Sequence, residues 1–270
     1  MRRTFALLVA AACVASCATQ ASPSMERNVI ATEPGVSDLI RLTTSKSVTA
    51  KGKKLQYTVE VHEHVLRSTA GAPQATETTF TYLLSGVPDA ASRPVIFVYN
   101  GGPGSSSVWQ HLGFYGPRRV KLADPVNPPI TPPYELEDNP HTILDIADIV
   151  FIDPVGTGYS RLLNPEAGKE YYGVDQDAVA MAQVIEAWLT RHQRWNSPKF
   201  LAGESYGTTR SAVLARQLMG GPLSQMGRMM GITLNGIIVL GPSLGGGEGP
   251  PRGLNTLQAG AALAWHFKRA

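Results

Sequence analysis

The sequence predicts an α/β fold in which a mostly parallel β-sheet carries helices on both faces. Residues 95–99 and 149–152 are continuously apolar and each run stops at a Gly/Pro cluster, a pattern typical of buried parallel strands. Apolar residues then recur at helical spacing over residues 174–189. A Gly-x-Ser-x-Gly segment at residues 203–207 follows, between an apolar run and a helix-prone stretch. Apolar strands that alternate with helices indicate a parallel sheet.

The other elements follow from alternation and spacing. Residues 55–66 alternate between an apolar face and a polar face that carries His62 and His64, which predicts a half-buried strand with a solvated polar side. Because only Thr58 and Glu60 lie beside these histidines, we expect a solvated face and no metal site. The remaining predicted elements are strands at 78–84, 199–202 and 236–240, a connection at 68–76, and helices at 208–219 and 257–267.

The N-terminus has the features of an export signal. Basic residues precede an apolar stretch, residues 5–14, that is too short to span a bilayer. The segment that follows ends in Val-Ala-Ser-Cys and resembles the bacterial lipoprotein cleavage box, so we expect Cys17 to carry a lipid anchor. The alternative is an ordinary secretory signal in which Cys17 is an incidental thiol. We expect residues 1–17 to be the signal peptide, 18–48 a flexible leader and 49–270 the folded domain.

Composition limits the partners and the compartment. The 270 residues carry a formal net charge of +3 and are 43% hydrophobic, so the chain can build a core and lacks the basic excess that nucleic-acid binding requires. Both cysteines, Cys13 and Cys17, lie in the predicted signal, so an internal disulfide is excluded from the mature chain. We expect the protein in the bacterial cell envelope or periplasm, with membrane contact only through the anchor; oligomeric state is not predicted.

Ser205 is the candidate nucleophile, because a serine between two glycines at a strand-to-helix turn is the pattern of a nucleophile elbow. Such a serine needs a base, an acid that orients the base, and hydrogen-bond donors for the oxyanion. The N–H of Tyr206 is one donor by position. The Gly-rich loop at residues 100–105, Asn-Gly-Gly-Pro-Gly-Ser, ends the predicted strand 95–99 and would provide the second.

Two other interpretations of the glycine loops fit less well. A phosphate-binding loop requires Lys and then Ser or Thr after its last glycine, and residues 100–107 lack that pair. The glycines at residues 156–158 fail as a dinucleotide fingerprint because Arg161 stands where the third glycine belongs. A plain tight turn without a ligand is the remaining structural alternative for the first loop.

Three segments together resemble the signature blocks of the serine carboxypeptidase family. They are Asn-Gly-Gly-Pro-Gly-Ser-Ser-Ser at 100–107, Asp-Pro-Val-Gly-Thr-Gly-Tyr-Ser at 153–160 and Gly-Glu-Ser-Tyr-Gly at 203–207. The resemblance covers about residues 94–240 and is strongest to the exported bacterial branch. It implies an α/β-hydrolase fold and a serine peptidase, without a cofactor or metal, that removes C-terminal residues from peptides in acidic surroundings.

The resemblance also implies roles for individual residues. Ser205 would be the nucleophile, and the N–H groups of Gly102 and Tyr206 would form the oxyanion hole. The free C-terminal carboxylate of a peptide substrate would be held by Asn100, the N–H of Gly101 and Glu204. Glu204 and that carboxylate form a like-charge pair unless they share a proton, which suits acidic conditions. The alternative for Glu204 is a carboxylate that braces the elbow through backbone hydrogen bonds.

The sequence departs from the family pattern near the Gly-rich loop. Val98 and Ser105 stand where many relatives have tryptophan and cysteine, and Phe114 and Tyr115 stand where acidic residues are usual before Gly-Pro. These departures weaken the assignment of the carboxylate site more than that of the nucleophile.

The rest of the catalytic triad is not evident in the sequence. After Ser205 the chain contains no aspartate, one glutamate, Glu248, and one histidine, His266. We expect the chain to be the N-terminal part of a longer enzyme whose aspartate and histidine lie beyond it, and the 270-residue form to be inactive. His111, His141 and His192 precede the serine, so the family order gives none of them the role of base. The alternatives are an esterase or acyltransferase of the same fold and a non-catalytic exported binding module.

Overall fold

The structure is a computed structural model that describes residues 39–122, 124, 127–128, 131–220, 230–242, 261, 264–266 and 268. The strands are β1 (Leu39–Ala50), β2 (Lys53–Arg67), β3 (Pro73–Leu84), β4 (Val95–Tyr99), β5 (Arg118–Val120), β6 (Leu136–Asp138), β7 (Asp148–Asp153), β8 (Arg161–Leu162), β9 (Lys199–Glu204) and β10 (Gly236–Leu240). The helices are α1 (Val108–Gln110), which continues as a π-helical turn (His111–Tyr115), α2 (Val174–Arg191) and α3 (Tyr206–Met219), with 3₁₀ turns at Ala90–Ser92 and Pro165–Glu170.

The strands form one mixed sheet in the order β1-β2-β3-β7-β4-β9-β10, with β8 beside β3; β5 and β6 form a separate hairpin. Strands β1, β2, β3 and β7 pair antiparallel in succession. Strands β7, β4, β9 and β10 run parallel, as their apolar sequences predict. This arrangement confirms the predicted α/β-hydrolase fold.

The two faces of the sheet are buried by different segments. On strand β4, Val95, Phe97 and Tyr99 pack in the cluster that contains the apolar faces of α2 and α3. Ile96 and Val98 alternate with them and pack on the other face with residues from the π-helical turn and the segment after it. Because all five side chains are buried, the strand contributes on the order of 1.5–3 kcal/mol per large apolar residue.

The predicted boundary of the flexible leader is wrong, because strand β1 begins at Leu39. Residues 39–48 lie in the range 18–48 that the sequence assigned to a flexible leader, yet they pair with β2 in a long hairpin. The hairpin turns at Lys51 and Gly52, both at positive φ (48° and 74°), which suits a two-residue turn between twisted strands. Among the described side chains of β1, Val48 and Ala50 are the buried apolar ones. Most of the strand is therefore held by backbone pairing with β2. Apolar periodicity therefore could not reveal it.

The polar face of β2 is buried, so the prediction of a solvated face at His62 and His64 is wrong. Each histidine is 2% exposed, and their rings stack with centroids 4.1 Å apart. Helix α2 and the residues after it cover this face: Trp188 Nε1 donates to Thr81 Oγ1 at 3.0 Å, and His192 Nε2 lies 3.0 Å from Glu60 Oε2. Burial lowers the pKa of His62 to about 3 and that of His64 well below its usual value.

Several predictions fall on parts of the chain outside the described residues. The signal peptide, Cys17 and Glu248 are among them, and of the predicted helix 257–267 residues 261 and 264–266 are described and helical. In the described part of the chain, helices that are long and apolar enough to cross a membrane are absent.

Candidate active site

Ser205 lies at the sharp turn between β9 and α3. Its backbone angles, φ 56° and ψ −122°, belong to a region that glycine normally occupies, so the turn holds this residue in a strained conformation. A side chain at Gly203 would place its Cβ 2.1 Å from the carbonyl oxygen of Gly207, which explains the small residue there. The N–H of Ser205 donates to the carbonyl of Leu240 at 2.9 Å and so ties the elbow to β10.

The Gly-rich loop that ends β4 packs directly against this elbow. A Cβ at Gly101 would lie 2.5 Å from both the carbonyl oxygen of Glu204 and the nitrogen of Tyr206, so only glycine permits this approach. Gly102, at φ 104°, and Ser205 line the same cavity of about 700 Å³. The two predicted oxyanion donors thus belong to adjoining segments, one in the loop and one directly after the serine.

Two of the three predicted carboxylate residues, Asn100 and Glu204, line this cavity, whereas Gly101 does not. Asn100 Nδ2 donates to Glu204 Oε2 at 3.1 Å, and Asn100 Oδ1 accepts from the backbone N–H of Gln110 at 3.0 Å. Asn100, Gln110 and Glu204 all line the cavity together with Ser205. The hydrogen bond described for the Glu204 side chain is with the Asn100 amide, in the lining of the cavity, and not with the backbone of the elbow.

Aromatic side chains form the outer wall of the same cavity. Trp109 is 72% exposed and Phe114 is 57% exposed, and both line the cavity. Sequence reasoning missed Trp109 and Gln110 as site residues. The sequence places both residues just after the Gly-rich loop, which could have indicated a role in the site. Their position in the wall of the Ser205 cavity depends on the path of α1 and the π-helical turn.

The second signature block, residues 153–160, supports the first. The carboxylate of Asp153 accepts from the backbone N–H of Ser107 at 2.8 Å and from that of Tyr159 at 3.4 Å. A Cβ at Gly158 would lie 1.9 Å from Asp153 Oδ2, so that glycine makes room for the carboxylate. Burial raises the pKa of Asp153. The block therefore positions the start of α1, which carries the wall residues.

A second cavity of about 440 Å³ lies against Tyr206 and the far end of the Gly-rich loop. Its wall includes Tyr171, Tyr172 and the ion pair between Asp177 and Arg210, with Arg210 Nε 2.6 Å from Asp177 Oδ2. Burial raises the pKa of Asp177, and the neighbouring guanidinium opposes that rise.

A catalytic base is not among the described residues that line the Ser205 cavity, where histidine is absent. His111 is close in sequence to that wall, but its ring stacks on Phe151 at 4.2 Å and lies 2.5 Å from the hydroxyl of Tyr82. Burial lowers the pKa of His111 to about 4. His266 is exposed and does not line the cavity. Clusters of three or more metal-ligating side chains are also absent from the described ranges.

Known proteins with similar sequences are serine carboxypeptidases and their relatives. The family described as serine carboxypeptidase matches residues 69–245. Serine carboxypeptidase-like 16 of Arabidopsis thaliana is 26% identical over 144 residues, which are 53% of this chain and 32% of the relative. The pheromone-processing carboxypeptidase kex1 of Pyrenophora tritici-repentis is 31% identical over 129 residues, 47% of this chain and 18% of that protein. The chain therefore spans a third or less of the length of these relatives.

A solved structure has the same fold. The prohormone-processing carboxypeptidase Kex1 from Saccharomyces cerevisiae superimposes with a TM-score of 0.51 at 20% identity, over 67% of this chain and 38% of that chain. At this identity the likeness concerns the fold alone. The family match covers all three signature blocks and well over half of the sequence, and the chain belongs to the serine carboxypeptidase family.

Proposed function

We propose that the protein is a serine-type carboxypeptidase that releases C-terminal amino acids from peptides through an acyl-enzyme on Ser205. The observation that supports this most directly is one cavity lined by Ser205, Gly102 and the hydrogen-bonded pair of Asn100 and Glu204. An acyl-transfer serine and groups suited to a carboxylate then lie side by side. A substrate whose last peptide-bond carbonyl reaches Ser205 would place its C-terminal carboxylate at Asn100 and Glu204.

The proposed reaction has two steps. Ser205 Oγ attacks the carbonyl carbon of the last peptide bond, and the N–H groups of Gly102 and Tyr206 stabilise the oxyanion. The C–N bond breaks, the proton from the serine passes through the base to the leaving amine, and the terminal amino acid departs. Water then attacks the carbonyl carbon of the acyl-enzyme, the ester C–O bond to Ser205 breaks, and the shortened peptide leaves as a carboxylic acid while the proton from water passes by the base back to the serine.

We propose that the histidine base and its acid partner come from sequence outside the matched residues 69–245. Two observations support this: the described wall of the Ser205 cavity lacks a histidine, and the matched segments are 32% and 18% of the two relatives compared. A labelling experiment tests the nucleophile. We expect a fluorophosphonate probe to modify Ser205 in the product of the complete reading frame, and Ser205→Ala to abolish the labelling.

Glu204 gives the proposal a pH signature. Glu204 and a bound substrate carboxylate repel each other unless the pair holds a proton, so peptide binding should decline as the pH rises toward neutral. Glu204→Gln removes the repulsion, and the decline should move to higher pH. Isothermal titration with N-benzoyl-phenylalanine at a series of pH values measures the dissociation constant in wild type and in Glu204→Gln. Binding needs no catalytic base. An unchanged pH profile in Glu204→Gln would remove Glu204 from this role.

Comparison of free acid and amide separates the rival functions. A carboxypeptidase site binds N-benzoyl-phenylalanine more tightly than its amide. An esterase or acyltransferase of the same fold would show no preference for the free acid. A non-catalytic binding module would bind ligand but resist the fluorophosphonate probe in every form of the protein.

We also propose export to the cell envelope with a lipid anchor on Cys17. The support is the sequence of residues 1–17. Metabolic labelling with palmitate should mark the wild-type protein, and Cys17→Ser should abolish the label.

A further inference from the structure

Gln110 is a buried side chain in the wall of the Ser205 cavity that the predicted site does not include. It is 3% exposed, and its amide nitrogen Nε2 has no hydrogen-bond partner among the described residues. Buried polar groups in folded proteins are almost always hydrogen-bonded, so an unpartnered amide beside a cavity points to an acceptor supplied by water or a ligand.

The backbone of Gln110 is held by Asn100, whose side chain is in turn bonded to Glu204 in the wall of the cavity. Its N–H donates to Asn100 Oδ1 at 3.0 Å, and Asn100 Nδ2 donates to Glu204 Oε2 at 3.1 Å. These contacts engage the acceptor and one donor hydrogen of the Asn100 amide. The Nε2 group of Gln110 retains both of its hydrogens for a further acceptor.

The surroundings of Gln110 indicate the chemistry of that acceptor. Trp109 and Phe114 supply apolar walls, and Glu204 is the only ionisable side chain among the described residues that line the cavity. A neutral amide can donate to a carboxylate without a change of its own protonation. Hydrogen bonds to an ionised acceptor are about twice as strong as neutral ones, so such a donor favours an acid over an amide.

We propose that Gln110 Nε2 donates a hydrogen bond to the C-terminal carboxylate of the substrate and is a specificity-determining residue for free-acid peptides. The proposal rests on the proposed function. It assigns recognition to a neutral donor that works at every pH, beside Glu204, whose contribution depends on a shared proton. It also explains how this site recognises a carboxylate with Phe114 and Tyr115 in place of acidic residues.

The test is isothermal titration of the full chain with N-benzoyl-phenylalanine and its amide at about pH 5, within the acidic range proposed for this site. In Gln110→Leu we expect the dissociation constant for the acid to rise about tenfold and that for the amide to change less than about twofold. Gln217→Leu is the matched control, because Gln217 is a wholly buried glutamine on α3 that does not line the cavity. It should keep the wild-type ratio of the two constants.

Gln110→Glu keeps the size of the side chain and covers the case in which the leucine variant fails to fold. Its affinity for the acid should fall more steeply than that of wild type as the pH rises, while its affinity for the amide stays constant. If either folded variant retains the wild-type preference for the acid over this range, the assignment of Gln110 is overturned. If wild type itself fails to distinguish acid from amide, the carboxylate site of the proposed function fails instead.

Discussion

Arg210 on helix α3 donates through Nη1 to the carbonyl oxygen of Asn100 at 2.6 Å, which links the helix behind Ser205 to the end of strand β4. The same guanidinium donates through Nε to Asp177 on α2 at 2.6 Å and lies over the rings of Tyr99 and Tyr206. Arg210 is 1% exposed. One buried cation thus connects the elbow, the start of the Gly-rich loop and the longest helix described.

Arg210→Met should lower the free energy of unfolding by about 3–5 kcal/mol, because it leaves the Asp177 carboxylate without its partner in a buried site. Urea denaturation followed by circular dichroism measures the change. Arg216→Met is the control, since the Arg216 and Asp175 side chains are each 42% exposed and their ion pair should contribute only about 0–1 kcal/mol. Equal losses in the two variants would contradict the structural role of Arg210.

Ser205→Gly should be more stable than Ser205→Ala by about 1 kcal/mol. Glycine relieves backbone strain of about 1–3 kcal/mol at φ 56°, ψ −122°, and this exceeds its greater entropy loss on folding of about 0.5–1 kcal/mol. Thermal unfolding of the two variants gives the difference. At exposed Ala212 in the middle of α3 the order should reverse, with Ala212→Gly less stable than wild type by about 1 kcal/mol. A more stable Ser205→Ala would show that the elbow is unstrained.

The buried histidines of β2 should make the fold sensitive to acid. Burial lowers the pKa of His62 from its usual 6.5 to about 3 in the folded protein, so the unfolded chain takes up the proton first as the pH falls. The free energy of unfolding should therefore decline between about pH 6.5 and pH 3, by up to roughly 4 kcal/mol. Burial also lowers the pKa of His64, which belongs to the same response, and Glu60, Arg191 and His192 lie around the His62 ring.

His62→Phe should flatten this part of the pH profile while it keeps an aromatic ring against His64. Urea denaturation at a series of pH values measures the slope. Exposed His141 provides the control, and His141→Gln should retain the wild-type slope. If His62→Phe keeps the full acid sensitivity of wild type, groups other than His62 cause the effect.

Glu77 should destabilise the fold at neutral pH. It is wholly buried, one carboxylate oxygen lacks a partner among the described residues, and burial followed by the charge of Asp177 raises its pKa well above the usual range. The folded state therefore binds the proton more tightly, and stability falls as the pH rises above the pKa of the unfolded chain.

Glu77→Gln should raise the free energy of unfolding at pH 7 by at least about 1 kcal/mol, because the amide carries no charge and retains an acceptor for the N–H of Val155. The gain should shrink to a few tenths of a kcal/mol at about pH 4, where Glu77 is mostly protonated in the unfolded chain as well. Urea denaturation at the two pH values tests this, and exposed Glu135→Gln should change stability little at either. A loss of stability at pH 7 would mean that the Glu77 charge is compensated in the folded protein.

Local sequence determined the elbow and the parallel strands. Residues 95–99 and 200–202 are apolar, and glycines follow shortly after each run at Gly101 and Gly203. Strand β9, Ser205 and α3 follow one another within a short segment of chain. The features that matter here are contained in neighbouring residues: apolar content, helical spacing, and glycines where a Cβ would collide with the backbone. These features do not depend on distant parts of the chain, so the fold class and the position of the candidate nucleophile follow from them.

Only the tertiary structure decided which polar residues are buried and which groups meet. Alternation along β2 distinguishes two faces but does not reveal that α2, more than 100 residues later in the chain, covers the face with His62 and His64. In the same way, Gln110 lines the Ser205 cavity because α1 packs against Asn100. Burial and long-range hydrogen bonds depend on distances between segments far apart in sequence, and local patterns carry no information about those distances.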